Sequence, residues 1–253
     1  MLADAAARRT RRFQAKGLSP HAVFHVSHSR RLKEMSEWEG YILRDYKIRF
    51  DRGSLVLDVG CGPGVFIKLL TERGSSVVGI DIDHAALSLC RNQGMSVLYA
   101  TAEELPFKDS SFDGILCKVV LPFTREEDVI SEFGRLLKPG GKCYLQCHGA
   151  GYYLNYLLLA RSWKRRFYGL RSLVNTWYRV VTGKRLPGFF GDTIYQSQRR
   201  LSKYYRRSGL SLVEDTPSKR FLGFTVFTHQ ILEKTPGDAT SRIKSSPAAS
   251  AAD

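Results

Sequence analysis

The chain has 253 residues, with 43% hydrophobic and 11% aromatic side chains. This is enough apolar material for a core, and it excludes a disordered chain, a collagen and a simple coiled coil. The length favours one large domain, or one domain with a modest insertion. No run of about 18 apolar residues, the length that crosses a bilayer, occurs in the sequence.

The formal net charge of +15 is unevenly distributed along the chain. Residues 1–52 carry a net +6 and residues 151–220 a net +12, whereas residues 53–150 carry −3. A segregated positive field attracts anions such as nucleic acid, an acidic membrane surface or a phosphorylated small molecule. The alternative is a solvated basic surface that serves solubility. The late basic segment is also rich in aromatic residues, which favours binding.

The five cysteines are an odd number and show no CxxC spacing. This argues against a disulfide framework or a four-ligand zinc site, so we predict no metal and a reducing, cytoplasmic location. The chain starts with an Ala- and Arg-rich stretch instead of an apolar secretory signal, although transit peptides are also Arg-rich. We predict a flexible basic arm over residues 1–33 and a helix from about Glu34 to Phe50.

From residue 55 onward, short apolar runs alternate with segments of helical spacing. Strands are predicted at Leu55–Val59, Val77–Ile80, Val97–Ala100, Phe112–Cys117 and Lys142–Cys147, and helices at Val65–Glu72, His84–Cys90 and Glu126–Leu137. The stretch KPGGK ends the last of these helices in a tight turn. Nearly continuous apolar strands that alternate with helices indicate an α/β fold, a doubly wound and mostly parallel sheet covered on both faces.

The rest of the chain predicts one more helix, two more strands and a tail. The helix covers Gln198–Arg207, and the strands cover Leu210–Val213 and Phe224–Glu233. Residues 235–253 are rich in Ser, Ala and Thr, which predicts disorder.

One motif carries chemistry. LVLDVGCGPGVFI, from Leu55 to Ile67, reads as a strand, three alternate glycines and a helix. Glycines let a ligand approach the backbone, and a helix start offers unpaired N–H groups. The GxGxxG spacing of dinucleotide sites is absent. Asp58 lies on the strand just before the glycines, where a carboxylate suits a cationic ligand group better than a pyrophosphate.

A second carboxylate, Asp81, ends the second strand about twenty residues beyond Gly60. At that point of such a sheet, a carboxylate accepts hydrogen bonds from ribose hydroxyls. The alternative role for Asp81 is the N-cap of the next helix. Asp83 is better placed for that cap, so we predict that Asp81 binds a ribose.

Four stretches, LVLDVGCGPG, VVGIDID, TAEELPFKDSSFDGILC and RLLKPGGK, together resemble the class I S-adenosylmethionine-dependent methyltransferases. The resemblance is closest to the small-molecule group that includes ubiquinone-biosynthesis methyltransferases, and it covers about Leu55 to Cys147. It implies a seven-stranded Rossmann-like sheet whose last strand is antiparallel, and S-adenosylmethionine as cofactor. The implied catalytic domain comprises residues 34–148 and 197–234, with a helical lid at 149–196.

The resemblance also implies the cofactor contacts. It places the methionine part of the cofactor on Asp58 and the loop residues Gly60, Cys61, Gly62 and Gly64, the ribose on Asp81, the adenine on Ile82, Thr101 and Ala102, and the sulfonium and acceptor between Cys117 and Lys118. The family often has Asp where this chain has Thr101, so a weaker hydroxyl contact is expected there.

The predicted lid has an apolar residue at steps of four and three: Tyr156, Ala160, Trp163, Phe167, Leu170, Val174, Trp177 and Val181. This spacing predicts a helical stripe, which Gly169 is expected to divide in two. One interpretation packs the stripe onto the sheet and leaves the charges solvated. The others bring the basic lid to an anionic membrane surface, a phosphate on the acceptor, or single-stranded RNA.

A methyl group on a sulfonium is already electrophilic, so catalysis is mainly alignment of the nucleophile. A hydroxyl or acidic carbon acceptor also needs a general base, for which His148 is the first candidate and His28 the second. CKVVLPF lacks the Asn/Asp-Pro-Pro-aromatic stretch of enzymes that methylate nucleobase or glutamine nitrogens. We therefore favour O- or C-methylation of a small or amphipathic metabolite, including lipid-linked or saccharide acceptors. RNA methylation and a non-catalytic cofactor-binding subunit are the alternatives, and nucleic acid is the less favoured partner.

Overall fold

The computed structural model describes residues 48–217 and 220–236. The predicted arm over residues 1–33, His28, residues 34–47 of the predicted first helix and residues 237–253 of the predicted tail lie outside these ranges. Residues 48–50, which the sequence assigned to the end of that helix, are not helical.

Among residues 48–217 and 220–236, nine strands follow in chain order: β1 (Leu55–Val59), β2 (Ser76–Asp81), β3 (Val97–Tyr99), β4 (Phe112–Lys118), β5 (Leu137–His148), β6 (Leu210–Pro217), β7 (Arg220–Phe221), β8 (Phe224–Thr225) and β9 (Phe227–Lys234). Seven of them form one sheet in the order β3-β2-β1-β4-β5-β9-β6. The first five strands of that order are parallel, and β9 is antiparallel to β5 and β6. This confirms the predicted sheet; the small β7–β8 hairpin was not predicted.

In the part of the chain that the structure describes, six α-helices accompany the strands: α1 (Val65–Glu72), α2 (His84–Asn92), α3 (Glu126–Leu136), α4 (Ala150–Leu159), α5 (Trp163–Thr182) and α6 (Gln198–Arg207). Helices α1 and α2 pack on one face of the sheet, through buried residues such as Phe66 and Leu87. Helices α3 and α6 pack on the other, through residues such as Phe133 and Tyr205. The sheet is therefore covered on both faces, as its continuous apolar strands require.

The strand order reverses at β1, which lies between β2 and β4. Chain connections leave the carboxyl ends of β1 and β4 in opposite directions, so a crevice opens there, and open α/β sheets bind ligands at this position. The glycine turn directly after β1 is at the mouth of this crevice.

Strand β5 begins earlier than the sequence predicted. Leu137 pairs with Phe112 directly after α3, and the pairing resumes with Lys142 opposite Gly114. The residues between, which include Pro139 without an N–H and Gly140 at a φ of 76°, interrupt the ladder. The tight turn predicted here is thus an irregularity within the strand. Leu137 is held in the ladder because its side chain is fully buried.

Gly169 does not divide the lid helix, contrary to the sequence prediction. The break lies between α4 and α5, at residues 160–162, and Gly169 is buried within α5. A Cβ at Gly169 would lie 2.5 Å from the backbone oxygen of Tyr153 in α4. The glycine therefore lets two helices cross at close range, and α5 continues to Gly183, whose φ is 73°.

The predicted apolar stripe of α5 faces outward. Trp163 is 71% exposed, and Trp177 and Val181 are both 64% exposed. The buried side of the helix is polar, with Ser172, Asn175 and Thr176 among its residues. The interpretation in which the stripe packs onto the sheet is therefore wrong for α5.

The polar side of α5 is buried because it holds the returning chain. The Asn175 side chain donates to the Thr193 carbonyl at 2.8 Å and accepts from the Leu186 backbone at 2.9 Å. The Thr176 hydroxyl accepts from the Tyr195 N–H at 3.0 Å. Buried backbone groups of a loop need such partners, and apolar side chains cannot supply them.

Buried ion pairs fasten the same side of α5. Arg171 lies 2.7 Å from the buried Asp192 carboxylate, with its guanidinium 3.9 Å from the Phe189 ring centre. Glu126, fully buried at the start of α3, pairs with Arg200 and approaches Arg179 of α5 at 3.8 Å. Removing one partner would leave a buried charge uncompensated, so these pairs fix how α5 faces the domain.

Candidate cofactor and acceptor site

The first glycine of the turn is held between two strands. The N–H groups of Gly60 and Cys61 both donate to the Ile80 carbonyl, at 2.8 and 2.9 Å. Gly60 has a φ of 74°, and a Cβ there would lie 2.3 Å from Cγ2 of Val120. Glycine is required at this position by the left-handed backbone and by the segment that follows β4.

The next two glycines have different surroundings. Gly64 precedes α1 with a φ of 82°, and a Cβ there would lie 2.4 Å from the Met95 sulfur, so Gly64 serves packing. Gly62 has a φ of 50°, and none of the described residues lies within 4 Å of a Cβ built on it. Gly62 is therefore the point of the turn at which a ligand can approach the backbone.

Asp81 joins the turn to the end of β2. One of its oxygens accepts from the Gly62 N–H at 2.8 Å, and the other accepts from the Asp83 N–H at 2.9 Å. The carboxylate is thereby oriented, and its further lone pairs can accept from ribose hydroxyls. Asp83 caps α2 by accepting from Ala85 and Ala86, so the predicted capping role of Asp83 is confirmed.

The other predicted cofactor contacts are distributed around this turn. Asp58 is buried near the end of β1, and Ile82, directly after β2, leaves 53% of a large apolar side chain exposed. Thr101 is half-buried after β3, whereas the Ala102 side chain packs in the core, so that only its backbone can face a ligand. An exposed isoleucine beside an oriented carboxylate suits an adenine next to a ribose.

Cys117 and Lys118 are the last two residues of β4, which extends one residue beyond the predicted strand. The Cys117 and Cys61 side chains are both buried in the core, and burial raises the pKa of each thiol. Neither sulfur is thus a reactive thiolate. The Lys118 ammonium lies 4.9 Å from the centre of the Phe66 ring, at the start of α1.

Sequence reasoning missed the strained residue that follows β4. Val119 has a φ of 59°, and a β-branched residue in the left-handed region marks a constrained position. Its N–H donates to the Gln146 carbonyl at 2.9 Å, and the next side chain, Val120, contacts Gly60. No residue-type signal could have revealed this, because valine is not typical of left-handed backbone.

A pocket extends from the end of β4 across β5 to β9. Lys118 pairs with Gln146, and Gln146 pairs with His229, so the three side chains point to one face of the sheet and line the pocket. Burial, and secondly the charge of Lys118, lowers the pKa of His229 to about 4. The sequence analysis did not single out Gln146 or His229, because their meeting depends on how β9 inserts beside β5.

His148, the predicted general base, is the last residue of β5. Its buried ring stacks on Tyr152 with a centre distance of 3.8 Å, and Nδ1 lies 3.4 Å from the Tyr153 hydroxyl. Burial lowers the pKa of His148 to about 3, so the imidazole is neutral at physiological pH. A neutral imidazole can accept a proton, but a low pKa makes it a weak base.

The residues present fit S-adenosylmethionine. The open glycine, the oriented carboxylate of Asp81, the exposed Ile82 and the buried acid Asp58 match a cationic sulfur nucleoside that carries an adenine. Within the described ranges, no group of three or more His, Cys, Asp or Glu side chains could hold a metal ion.

Comparison with known proteins gives a consistent result. Residues 57–145 match the family model described as "Methyltransferase domain". The biotin biosynthesis bifunctional protein BioHC of Cellvibrio japonicus is 35% identical over 147 residues, which is 53% of this chain and 28% of that protein. The ubiquinone biosynthesis O-methyltransferase of Pseudomonas paraeruginosa is 38% identical over 104 residues, which is 37% of this chain and 44% of that protein.

A solved structure extends the similarity beyond the matched segment. The S-adenosylmethionine-dependent methyltransferase of Methanosarcina mazei aligns with a TM-score of 0.54 at 22% identity, over 77% of this chain and 97% of that one. At this level of identity, the likeness shows a shared fold. The chain spans less than half the length of each of the two curated relatives. The family match, the relatives and the shared fold agree with the motifs: residues 57–145 are similar to methyltransferase domains, and the chain has the fold of the class I S-adenosylmethionine-dependent methyltransferases.

Proposed function

We propose that the protein transfers a methyl group from S-adenosylmethionine to a small or amphipathic metabolite, by O- or C-methylation. The observation that carries the proposal is the turn after β1, where no described residue lies against Gly62 and the Gly62 N–H is held by Asp81. The cofactor supplies an electrophilic methyl group when bound. The protein has to hold the cofactor, align the acceptor and exclude water.

The cofactor-binding residues have distinct roles in this proposal. Asp81 accepts from the ribose hydroxyls, Ile82 covers the adenine, and Asp58 lies on the side of the methionine moiety and its charged groups. Thr101 and the backbone of Ala102 contact the adenine edge. The carboxyl end of β4, at Cys117 and Lys118, lies between the sulfonium and the acceptor. Cys117 contributes only its main chain.

The acceptor side is the pocket between Lys118, Gln146 and His229, with His148 nearby at the end of β5 as the proposed general base. Half of the residues that line this small pocket are apolar and half are polar or charged, a mixture that suits an amphipathic acceptor, including a lipid-linked or saccharide one. The two curated relatives, named for ubiquinone and biotin biosynthesis, support a metabolite acceptor.

Residues 149–196 form the lid in this proposal. Their last part reaches the crevice, since the Ile194 N–H donates to the Pro122 carbonyl at 3.0 Å and the Gln196 N–H to the His148 carbonyl at 3.1 Å. The insertion thus touches the chain that follows β4 and the end of β5, where an acceptor is expected.

The cytoplasmic location stays a prediction, supported by five buried cysteines that are all free.

RNA methylation is the second candidate, favoured by the exposed cations Arg161, Lys164 and Arg165 on the lid. It predicts steeply salt-dependent binding of RNA, and the absence of RNA binding at low salt would remove it. A non-catalytic subunit predicts instead that cofactor binds while no acceptor is ever methylated.

Methyl-labelled cofactor, incubated with the protein and a fractionated extract, tests the proposal directly. We expect label in a small or lipid-soluble product, which mass spectrometry identifies, and less label with the Asp81→Ala variant at limiting cofactor. Asp81→Ala should weaken cofactor binding by about 1–3 kcal/mol, the scale of a lost buried acceptor. Asp83→Ala, which removes a helix cap two residues away, is the control that should retain affinity. Label in RNA alone would contradict the metabolite acceptor.

A further inference from the structure

The outward side of α5 is apolar over the full length of the helix. We call it the outer face of α5, and it consists of Trp163, Phe167, Leu170, Val174, Trp177, Val180 and Val181. Each of these side chains is exposed, and so are the nearby Leu158, Leu159, Phe189 and Phe190. Isolated exposed apolar residues are ordinary, but a continuous surface of this kind marks an interaction site.

The helix cannot hide this face by rotating about its axis. Its opposite side is committed to the hydrogen bonds of Asn175 and Thr176 and to the buried pair between Arg171 and Asp192. A rotation that buried the two tryptophans would break these bonds and expel a paired charge. Among residues 48–217 and 220–236, the packing of α5 therefore keeps the outer face exposed.

The charges around the outer face are all of one sign. Residues 149–191 contain eight Lys and Arg and no Asp or Glu. Arg161, Lys164, Arg165 and Arg166 are exposed at the amino end of α5, and Lys184 is exposed just beyond its carboxyl end. An apolar surface between exposed cations is complementary to a partner that is apolar inside and anionic at its boundary.

We propose that the outer face of α5 is a membrane-docking surface that lies in the interface of an anionic lipid bilayer. A helix in this position buries Leu, Val and Trp at the level where acyl chains begin, and its cations reach the lipid phosphates. Tryptophan is enriched at this level, and both Trp163 and Trp177 belong to the outer face. The described helices include none that is long and apolar enough to cross a membrane.

The composition of the outer face favours lipid over RNA. Single-stranded RNA binds to surfaces on which aromatic rings stack with bases while cations follow the backbone. Here the carboxyl half of the face consists of Val174, Trp177, Val180 and Val181, three of them aliphatic, with no cation among them. An aliphatic surface offers little to a nucleobase and much to an acyl chain.

Docking would bring the lid close to lipid-soluble molecules. The inner side of α5 holds the chain around Ile194 and Gln196, which contacts the ends of β4 and β5. A lipid-linked acceptor could thus pass from the bilayer to the pocket along the lid. The docking surface itself does not depend on methyl transfer, and membrane binding can be measured without cofactor or acceptor.

Vesicle flotation with the full chain tests the proposal. We expect the protein to float with vesicles in which about a third of the lipid is phosphatidylglycerol, and to float much less with pure phosphatidylcholine. Trp177→Asp combined with Val181→Asp should lower the fraction bound roughly tenfold or more, because charge is placed in the apolar face. Val213→Asp is the control, since Val213 is 57% exposed on the edge strand β6, away from α5.

A second pair of variants isolates the charges. Lys164→Glu with Arg165→Glu should weaken binding to the anionic vesicles roughly tenfold or more. Arg199→Glu with Lys203→Glu changes the net charge by the same amount on exposed residues of α6 and should have a smaller effect. Calorimetry with S-adenosylmethionine should give the same affinity for both pairs, so a failure of docking is distinguishable from a failure of the proposed enzyme.

Tryptophan quenching identifies what covers the outer face. In a variant that keeps Trp177 as its sole tryptophan, acrylamide should quench the indole in buffer, and brominated lipid should quench it on vesicles. Shielding from acrylamide without lipid would overturn the proposal, because residues 1–47 or a second copy would then cover the face. Absence of flotation with the anionic vesicles would also overturn the proposal. If the protein binds RNA instead of vesicles, and the Trp177→Asp and Val181→Asp changes abolish that binding, the outer face is an RNA-binding surface.

Discussion

At the scale of single residues, the open position at Gly62 gives the sharpest test of the cofactor site. Gly62→Ala should lower affinity for S-adenosylmethionine roughly tenfold or more, since a methyl group would occupy the space through which the ligand approaches. The left-handed backbone adds a stability cost of about 1–2 kcal/mol. Isothermal calorimetry and chemical unfolding measure the two effects separately.

Gly53 offers a matched control for that experiment. It also has a positive φ, 82°, and no described residue lies within 4 Å of a Cβ there, but it precedes β1 at the opposite end of the strand. Gly53→Ala should therefore cost similar stability and leave cofactor affinity unchanged. Equal affinities of the two variants would contradict a ligand at Gly62.

Substitution of His148 tests the proposed proton transfer. His148→Gln removes the proton acceptor, and we expect kcat to fall roughly 10- to 10²-fold, the low end for a general base, because its low pKa makes His148 a weak one. Cofactor affinity should not change. A fall of less than about tenfold, together with lower stability, would assign His148 to the aromatic cluster with Tyr152 and Tyr153 and remove it from catalysis.

At the scale of elements, α5 shows what helical periodicity can and cannot predict. The spacing from Trp163 to Val181 correctly predicted one apolar side of a helix, but an apolar side is buried only when the rest of the chain covers it. Here Asn175 and Thr176 form hydrogen bonds with Thr193 and Tyr195 in the segment between α5 and α6, so the polar side faces inward. The sequence pattern does not contain those loop contacts.

The crossing of α4 and α5 leads to a prediction with an unusual sign. Gly169→Ala should destabilise the lid, although alanine is favoured over glycine in an isolated helix by about 1 kcal/mol. The added Cβ would lie 2.5 Å from the Tyr153 backbone oxygen, which cannot move aside without separating the helices. We expect faster trypsin cleavage in α5 and a net loss of about 1–3 kcal/mol in the free energy of unfolding.

Val174→Ala is the control for this experiment, because Val174 is exposed on the outer face of the same helix. It should change stability and trypsin cleavage little. A Gly169→Ala variant that is more stable than the parent would show that the helices do not cross at this glycine.

At the scale of the whole molecule, the buried histidines link stability to pH. The pKa values of His148 and His229 lie at about 3 and about 4, below the ordinary value of 6.5. At pH values between the folded pKa and 6.5, each of these histidines is protonated in the unfolded chain and neutral in the folded chain. Acidification below about pH 6.5 therefore destabilises the fold. For His148 the slope is at most about 1.4 kcal/mol per pH unit.

Urea unfolding at several pH values between about 7 and 4 measures this dependence. The His148→Phe variant keeps an aromatic ring in the cluster and should show a shallower loss of stability on acidification. His84→Gln, a change at an exposed histidine, should retain the slope of the parent. An unchanged slope in His148→Phe would mean that His148 is not buried neutral in the folded protein.

Local features of the chain were readable from the sequence because they depend on neighbours in the chain. The strands and helices between Leu55 and Cys147, the left-handed glycines of the turn, Asp81 at the end of β2 and the cap at Asp83 all follow from periodicity and backbone preference. The resemblance to the class I methyltransferases and the expected cofactor followed from the same motifs. Together these local features determined the fold and the candidate cofactor site.

Only the tertiary structure decided which surfaces meet. The burial of His148 against Tyr152, the row of Lys118, Gln146 and His229, and the outward stripe of α5 each join segments far apart in sequence. Side-chain periodicity states that a face is apolar or polar, but whether that face is covered depends on the competing hydrogen bonds and ion pairs of the whole chain. The proposed acceptor pocket and the proposed membrane-docking surface belong to this second class.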